Sequence, residues 1–139
     1  MIVLDTDHLS VLQVPSSERR TRLLARLALA GNEVVGTTIV SVEEQTKGWL
    51  AAIARERQSR RQVRAYRELF GLFEFFHLFH IAQFDEQAAD LFDSFAGLRV
   101  GTMDRKIAAI AIVNDALLLT ANRRDYEKIP GLRFENWMD

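Results

Sequence analysis

Ile2, Val3 and Leu4 form an apolar run too short for a buried helix, with strand-favouring branched residues, and it is cut off at once by Asp5, Thr6 and Asp7. The run reads as a central strand. In an open α/β sheet, ligands bind outside the carboxyl ends of parallel strands, so the residue just past such a strand stands on the floor of any site. Asp5 occupies that place. Two readings of it stand side by side. Asp5 is a site carboxylate, or it merely ends the strand while Asp7 caps a helical turn from His8 to Gln13.

The same step recurs along the chain. Leu23, Leu24, Leu27 and Leu29 give a helix to about Ala30, stopped by Gly31 and Asn32. Glu33 to Ile39 has the β-branched bias of a second strand and leads into a helix starting at Ser41. A helix from Gln58 to about Phe79 follows, then a short strand at Ile81 to Phe84 and a helix capped by Asp85. Met103 to Val113 reads as a further helix, Leu117 to Leu119 as a buried strand, and Leu132 to Phe134 as a last edge strand. Strands alternating with helices imply βαβ crossovers. The expected fold is α/β, with a largely parallel central sheet of about four or five strands and helices on both faces.

At 139 residues and 48% hydrophobic, the chain reads as one globular domain over 1–139 that can bury a core without staples. The absence of Cys excludes thiolate metal sites and Cys nucleophiles. No charged-then-apolar leader is present and the longest apolar stretch, Ile107 to Val113, is far too short to span a bilayer, so a cytoplasmic protein without membrane contact is expected. With 18 basic and 19 acidic residues the global charge is balanced, so a polyanion would have to meet a local patch. Arg55, Arg57, Arg60, Arg61, Arg64 and Arg67, against the single Glu56, supply one, unless they are only a solvated helix face. The Phe70 to Phe79 cluster is first of all core, with any surplus left for a partner's helix.

Four further polar residues fall at the rim that Asp5 marks. Ser41 and Glu44 fit a capping box, yet a helix that starts where a strand ends also turns Glu44 toward Asp5, while Glu43 points about a quarter turn away. Gly48 and Ala51, on the face of Glu44, are small enough for close approach to the sheet. Asp104 sits in the first turn of a helix that is apolar nearly all round, where the helix dipole favours it by about 0.3 to 1 kcal/mol. No Arg or Lys is placed by the pattern to neutralise it. Asn122 follows its strand as Asp5 follows the first, and Asp125 joins the site or caps the turn at Tyr126. Carboxylates converging in this way repel each other unless cations sit between them. Oxygen ligands alone, without Cys or a suitable His pair, suit Mg²⁺ or Mn²⁺ and point to phosphodiester hydrolysis. His77 and His80 are expected to fill or edge the core, and His8 to flank the acidic turn.

Four stretches then carry a likeness: LDTDHLSVL at Leu4 to Leu12, SVEEQTKGW at Ser41 to Trp49, GTMDRKIAAIAI at Gly101 to Ile112, and LLTANRRDYEKIPGLRFENW at Leu118 to Trp137. In this order and over nearly the whole chain, they resemble the PIN-domain ribonucleases, in particular the VapC toxins of bacterial toxin–antitoxin pairs. The resemblance implies a PIN-like three-layer domain and a metal site of Asp5, Glu44 and Asp104, with Glu44 chosen over Glu43 because Gly48 follows it by four residues. Where many relatives have a fourth acid this chain has Asn122, with Asp125 as a substitute through water. The implied activity is Mg²⁺-dependent endonucleolytic cleavage of RNA by a homodimer, inhibited by a cognate antitoxin. Two rivals remain. A haloacid-dehalogenase-like phosphatase would use Asp5 as nucleophile, but His8 and Leu9 stand where that family has Gly and a Thr or Val. A PIN-like module could instead bind RNA or a partner without cutting.

Overall fold

Successive residues of a strand point to opposite faces of the sheet, and this alternation sorts the core into two halves. In the computed structural model, which describes residues 1–139, β1 (Ile2–Leu4) sends Val3 into one cluster and Ile2 and Leu4 into the other. All three are buried, as expected of a strand covered on both sides. The remaining strands are β2 (Val35–Thr38), β3 (His80–Ala82), β4 (Leu117–Leu119) and β5 (Phe134–Glu135). They form one sheet in the order β3-β2-β1-β4-β5, with every pairing parallel. β1 therefore lies at the centre. The expected α/β sheet is present with five strands.

Parallel strands need crossovers, and the helices supply them. They are α1 (Thr6–Gln13), α2 (Glu18–Leu29), α3 (Ile39–Arg55), α4 (Ser59–Phe76), α5 (Glu86–Ser94), α6 (Thr102–Val113) and the short α7 (Arg123–Tyr126). On one face, Ile107 to Ala111 of α6 pack with Ala88 and Phe95 against Val3 and Leu118. On the other, Leu9, Leu23, Leu72 and Phe76 cover Ile2, Leu4 and Leu119. No helix is long and apolar enough to cross a membrane.

Several boundaries differ from the sequence reading. β2 is shorter than Glu33–Ile39 because Thr38 already caps the next helix, and β3 starts at His80 and ends at Ala82. α1 begins at Thr6, so its cap is Asp5 and not Asp7. His77 and His80 are exposed and fill no core, since the end of α4 and the edge strand β3 leave them in solvent. In the aromatic run Phe76 is buried, while Phe70 and Phe73 are 67% and 68% exposed and form the surplus. The arginines from Arg55 to Arg67 are exposed along the end of α3, the connection and α4.

Two glycines give opposite tests of the packing. Gly36 is buried in β2, and a Cβ there would run into the backbone carbonyl of His80 on the paired strand. Gly48 is exposed in the middle of α3 and a Cβ would meet nothing, so it serves no close approach to the sheet. Gly36→Ala is expected to destabilise by about 1–3 kcal/mol through overpacking. Gly48→Ala is expected to stabilise by about 0.5–1 kcal/mol through helix propensity. Urea denaturation checks both signs, and a shift of both variants in one direction contradicts this packing.

Candidate functional site

Leu4 is in register with Thr37 on one side and Leu119 on the other, so β1, β2 and β4 end at one level. Asp5, Thr38 and Thr120 thus stand along one edge. Asp5 is 6% exposed. Its Oδ1 accepts the Thr6 N–H at 2.8 Å and its Oδ2 accepts the Thr120 hydroxyl at 2.8 Å. One oxygen thus caps α1, the role the sequence reading gave to Asp7, while the other bonds to Thr120 at the end of β4.

Glu44 reaches the same edge by a route the sequence reading missed. The Thr38 hydroxyl accepts the Ser41 N–H at 3.0 Å, so Thr38 is the cap and Ser41 is already inside α3. No capping box forms, and Glu44 lies more than a turn into the helix. A Thr left extended at the end of a strand is itself a good cap, and it starts the helix before Ser41. Glu44 Oε1 is buried without a hydrogen-bond partner. Burial, then Asp104, then Glu43 push its carboxyl above the usual range. Glu43 points away to pair with Lys47 at 3.4 Å.

Asp104 occupies the first turn of α6. Its Oδ1 accepts the Tyr126 hydroxyl at 3.2 Å and its Oδ2 accepts Asn122 Nδ2 at 3.3 Å. Burial raises its pKa and the Tyr126 bond opposes that, while the charges of Asp125 and Asp7 add to the rise. Asn122 Nδ2 also donates to Asp125 Oδ2 at 3.2 Å, and Asp125 pairs with Lys128 at 3.8 Å. Asp125 thus touches the site through Asn122.

Three members of the cluster had no assigned place in the sequence reading, or a wrong one. Asp7 Oδ2 accepts the Ala121 N–H at 2.8 Å and its Oδ1 lies 2.6 Å from His8 Nδ1. Burial raises the Asp7 carboxyl, but the bonds from His8 and Ala121 outweigh it and hold the pKa low. The signal was the Asp-x-Asp pair itself. Tyr126 is fully buried, and its hydroxyl interacts with both Asp5 and Asp104. Burial, then those two carboxylates, drive its pKa well above the ordinary tyrosine value. Its spacing of four from Asn122, across one turn, was the available clue. His8 does not merely flank the turn, since it is completely buried and bonded on both ring nitrogens.

The charge of Asp104 acts on both Asp5 and Glu44, and no lysine or arginine forms an ion pair with any of the three. They do not close into a preformed three-ligand cage.

A family model described as PIN domain matches residues 2–132. The chain belongs to the PIN-domain family. Comparison with curated proteins finds no match. Among solved structures this PIN domain is similar to VapBC-1 from nontypeable Haemophilus influenzae, with TM-score 0.74, 21% identity and 100% of each chain covered. It is similar to FitAcB from Neisseria gonorrhoeae at TM-score 0.69 and 24% identity, and to VapBC2 from Rickettsia felis, bound to a promoter DNA fragment, at 0.68 and 21%, each with 99% of both chains covered. At these identities the likeness is one of fold.

The electrostatics of the PIN domain's edge make stability depend on pH. Burial, reinforced by Asp7, pushes the Asp5 carboxyl from the ordinary 3.8 up to about 7. Below the unfolded value both states hold the proton and Asp5 contributes nothing. As pH rises toward 7 the unfolded chain loses that proton while the folded one keeps it, so stability falls, by on the order of 4 kcal/mol at most. Asp5→Asn should therefore raise the melting temperature in metal-free buffer at pH 8, and much less at pH 4.5. A constant difference across that range contradicts the assignment.

Proposed function

We propose that this PIN domain, acting as one unit over residues 1–139, is a metal-dependent endoribonuclease and the toxin of a type II toxin–antitoxin pair in the cytoplasm. The observation that carries the reading is that the charge of Asp104 acts on both Asp5 and Glu44 while none of the three acids has a lysine or arginine ion-pair partner. Such a cluster needs positive charge from outside the chain. All of its donor atoms are oxygens, and Glu44 Oε1 has no protein partner, so the set fits a hard divalent cation. A closed cage is not required, because Mg²⁺ keeps several waters and binds through one or two carboxylates plus substrate phosphate.

We assign the metal to Asp5, Glu44 and Asp104, with Mg²⁺ the expected ion and Mn²⁺ a substitute. When bound, it supplies a lowered pKa for an attacking water and charge stabilisation at the phosphodiester. The chain does the rest. Thr6 N–H and the Thr120 hydroxyl hold the Asp5 carboxylate in one rotamer, while the Tyr126 hydroxyl and Asn122 Nδ2 hold Asp104. Glu44 Oε1, free of partners, is the atom suited to orient the attacking water. Asn122 completes the site and Asp125 steadies Asn122. The exposed arginines of α4 suit an RNA backbone, and Phe70 and Phe73 suit the apolar face of an antitoxin helix. The likeness of fold to the VapBC structures supports a toxin–antitoxin pairing, and a homodimer is part of the same proposal.

Purified protein is expected to cleave members of a structured RNA panel with Mg²⁺ and to stop on chelation. Asp5→Ala and Asp104→Ala should each lower cleavage at least about 100-fold, as loss of a principal electrostatic group does, and abolish toxicity on expression. Circular dichroism should show the fold retained. Full toxicity from either folded variant removes this proposal.

A further inference from the structure

A line of hydrogen bonds leads from the acidic edge to the last residues of the chain. The backbone N–H of Trp137 donates to Nε2 of the fully buried His8 at 3.2 Å. A ring nitrogen that accepts carries no proton, so the neutral imidazole is protonated on Nδ1. Nδ1 therefore donates to Asp7 Oδ1 at 2.6 Å. Asp7 Oδ2 accepts the Ala121 N–H at 2.8 Å and, more weakly, the Thr120 hydroxyl at 3.3 Å. That hydroxyl makes the shorter bond to Asp5 and accepts the Asn122 N–H at 3.1 Å. Both oxygens of Asp7 are thus engaged within the protein.

The far end of the line is fastened to one side of α2. Arg19 Nε donates to Asp139 at 3.1 Å, Arg22 Nε donates to the Met138 carbonyl at 2.7 Å, and the Arg26 guanidinium lies 4.9 Å over the Trp137 ring. Trp137 and Met138 are themselves buried against Leu4 and Leu9. The segment that presents the Trp137 N–H is therefore fixed from two directions.

We propose that His8 is a positioning residue of the nuclease site: it couples the segment Trp137–Asp139 through Asp7 to the turn Thr120–Asn122, and so sets the orientation of Asp5 and Asn122. A hydrophobic residue would fill the same volume, but it would offer neither the acceptor that Trp137 uses nor the donor that Asp7 uses. The inference rests on the nuclease reading only for its kinetic consequence, because the hydrogen-bonded line stands without it.

Two substitutions separate the two ring nitrogens. His8→Asn keeps a donor near the place of Nδ1, and His8→Gln keeps an acceptor near the place of Nε2 but removes the donor to Asp7. His8→Gln is expected to lower kcat for RNA cleavage about 10–100-fold with KM little changed, the usual effect of losing a partner that orients a ligand. It should also speed hydrogen exchange at the Ala121 amide while the Trp137 amide stays protected, whereas His8→Asn, which loses the acceptor for Trp137 but keeps a donor to Asp7, speeds exchange at the Trp137 amide and lowers kcat less than His8→Gln does. Unchanged Ala121 exchange in His8→Gln overturns the proposal. So does an equal loss of activity in both variants that tracks their thermal stability. If the wild type cleaves no RNA, the nuclease reading fails instead, and Ala121 exchange in the two variants still decides the role of His8.

Discussion

Uncompensated negative charge at the carboxyl edge of the sheet is the constraint around which the rest of this molecule is arranged. Asp5 and Asp104 are both destabilised as anions by burial and by neighbouring acids, and Glu44 shares the effect. The fold answers with neutral donors instead of cations: two backbone N–H groups, at Thr6 and Ala121, two hydroxyls, at Thr120 and Tyr126, and the Asn122 carboxamide. A hydrogen bond to a charged group contributes about 1.5–3 kcal/mol, enough to hold rotamers but without adding positive charge. The carboxylates are thereby fixed in place while their collective charge stays available to a cation.

Stability for such an edge must come from elsewhere, and α6 shows where. Its residues Ile107 to Ala111 are all completely buried between the sheet and α5. Each fully buried Ile contributes about 1.5–3 kcal/mol from burial alone, and the alanines let the helix lie close to Val3 and Leu118. A helix anchored through Ile107–Ala111 holds the turn before it, and Asp104 with it, toward the neighbouring acids. Asp104 stays at the edge because the apolar turns behind it have nowhere else to go.

What could be read from the sequence was what depends on local pattern and one topological rule. Short branched runs at Ile2–Leu4 and Leu117–Leu119 identified two central strands, and the rule that sites lie at the carboxyl ends of parallel strands brought Asp5 and Asn122 together. The apolar run behind Asp104 placed that acid on a buried helix. The reading went astray where two local solutions competed, as at α3, where both Thr38 and Ser41 are acceptable caps and the end of β2 decides between them. It also missed residues whose partners are remote in sequence. Asp7 looked like a cap because Ala121 lies 114 residues away, and His8 looked peripheral because Trp137 lies 129 residues away. Exposure at His77, His80, Phe70 and Phe73 depends on which helix face the sheet covers, which periodicity within one helix does not contain.

Asn122 shows how one neutral side chain alters the balance of the whole edge. Its Nδ2 donates to Asp104 and to Asp125, joining Asp104 to a carboxylate whose charge adds to the cost of ionising it. An aspartate at this position would replace that shared donor with a further acceptor, and Asp104 would keep only the Tyr126 hydroxyl to orient it. The carboxamide thus lowers the negative charge of the edge by one and at the same time locks the geometry of the acid on α6. In this chain Asn122 is better understood as a bridge between carboxylates than as a weakened member of the acidic set, because it orders Asp104 through a hydrogen bond that an aspartate could not donate.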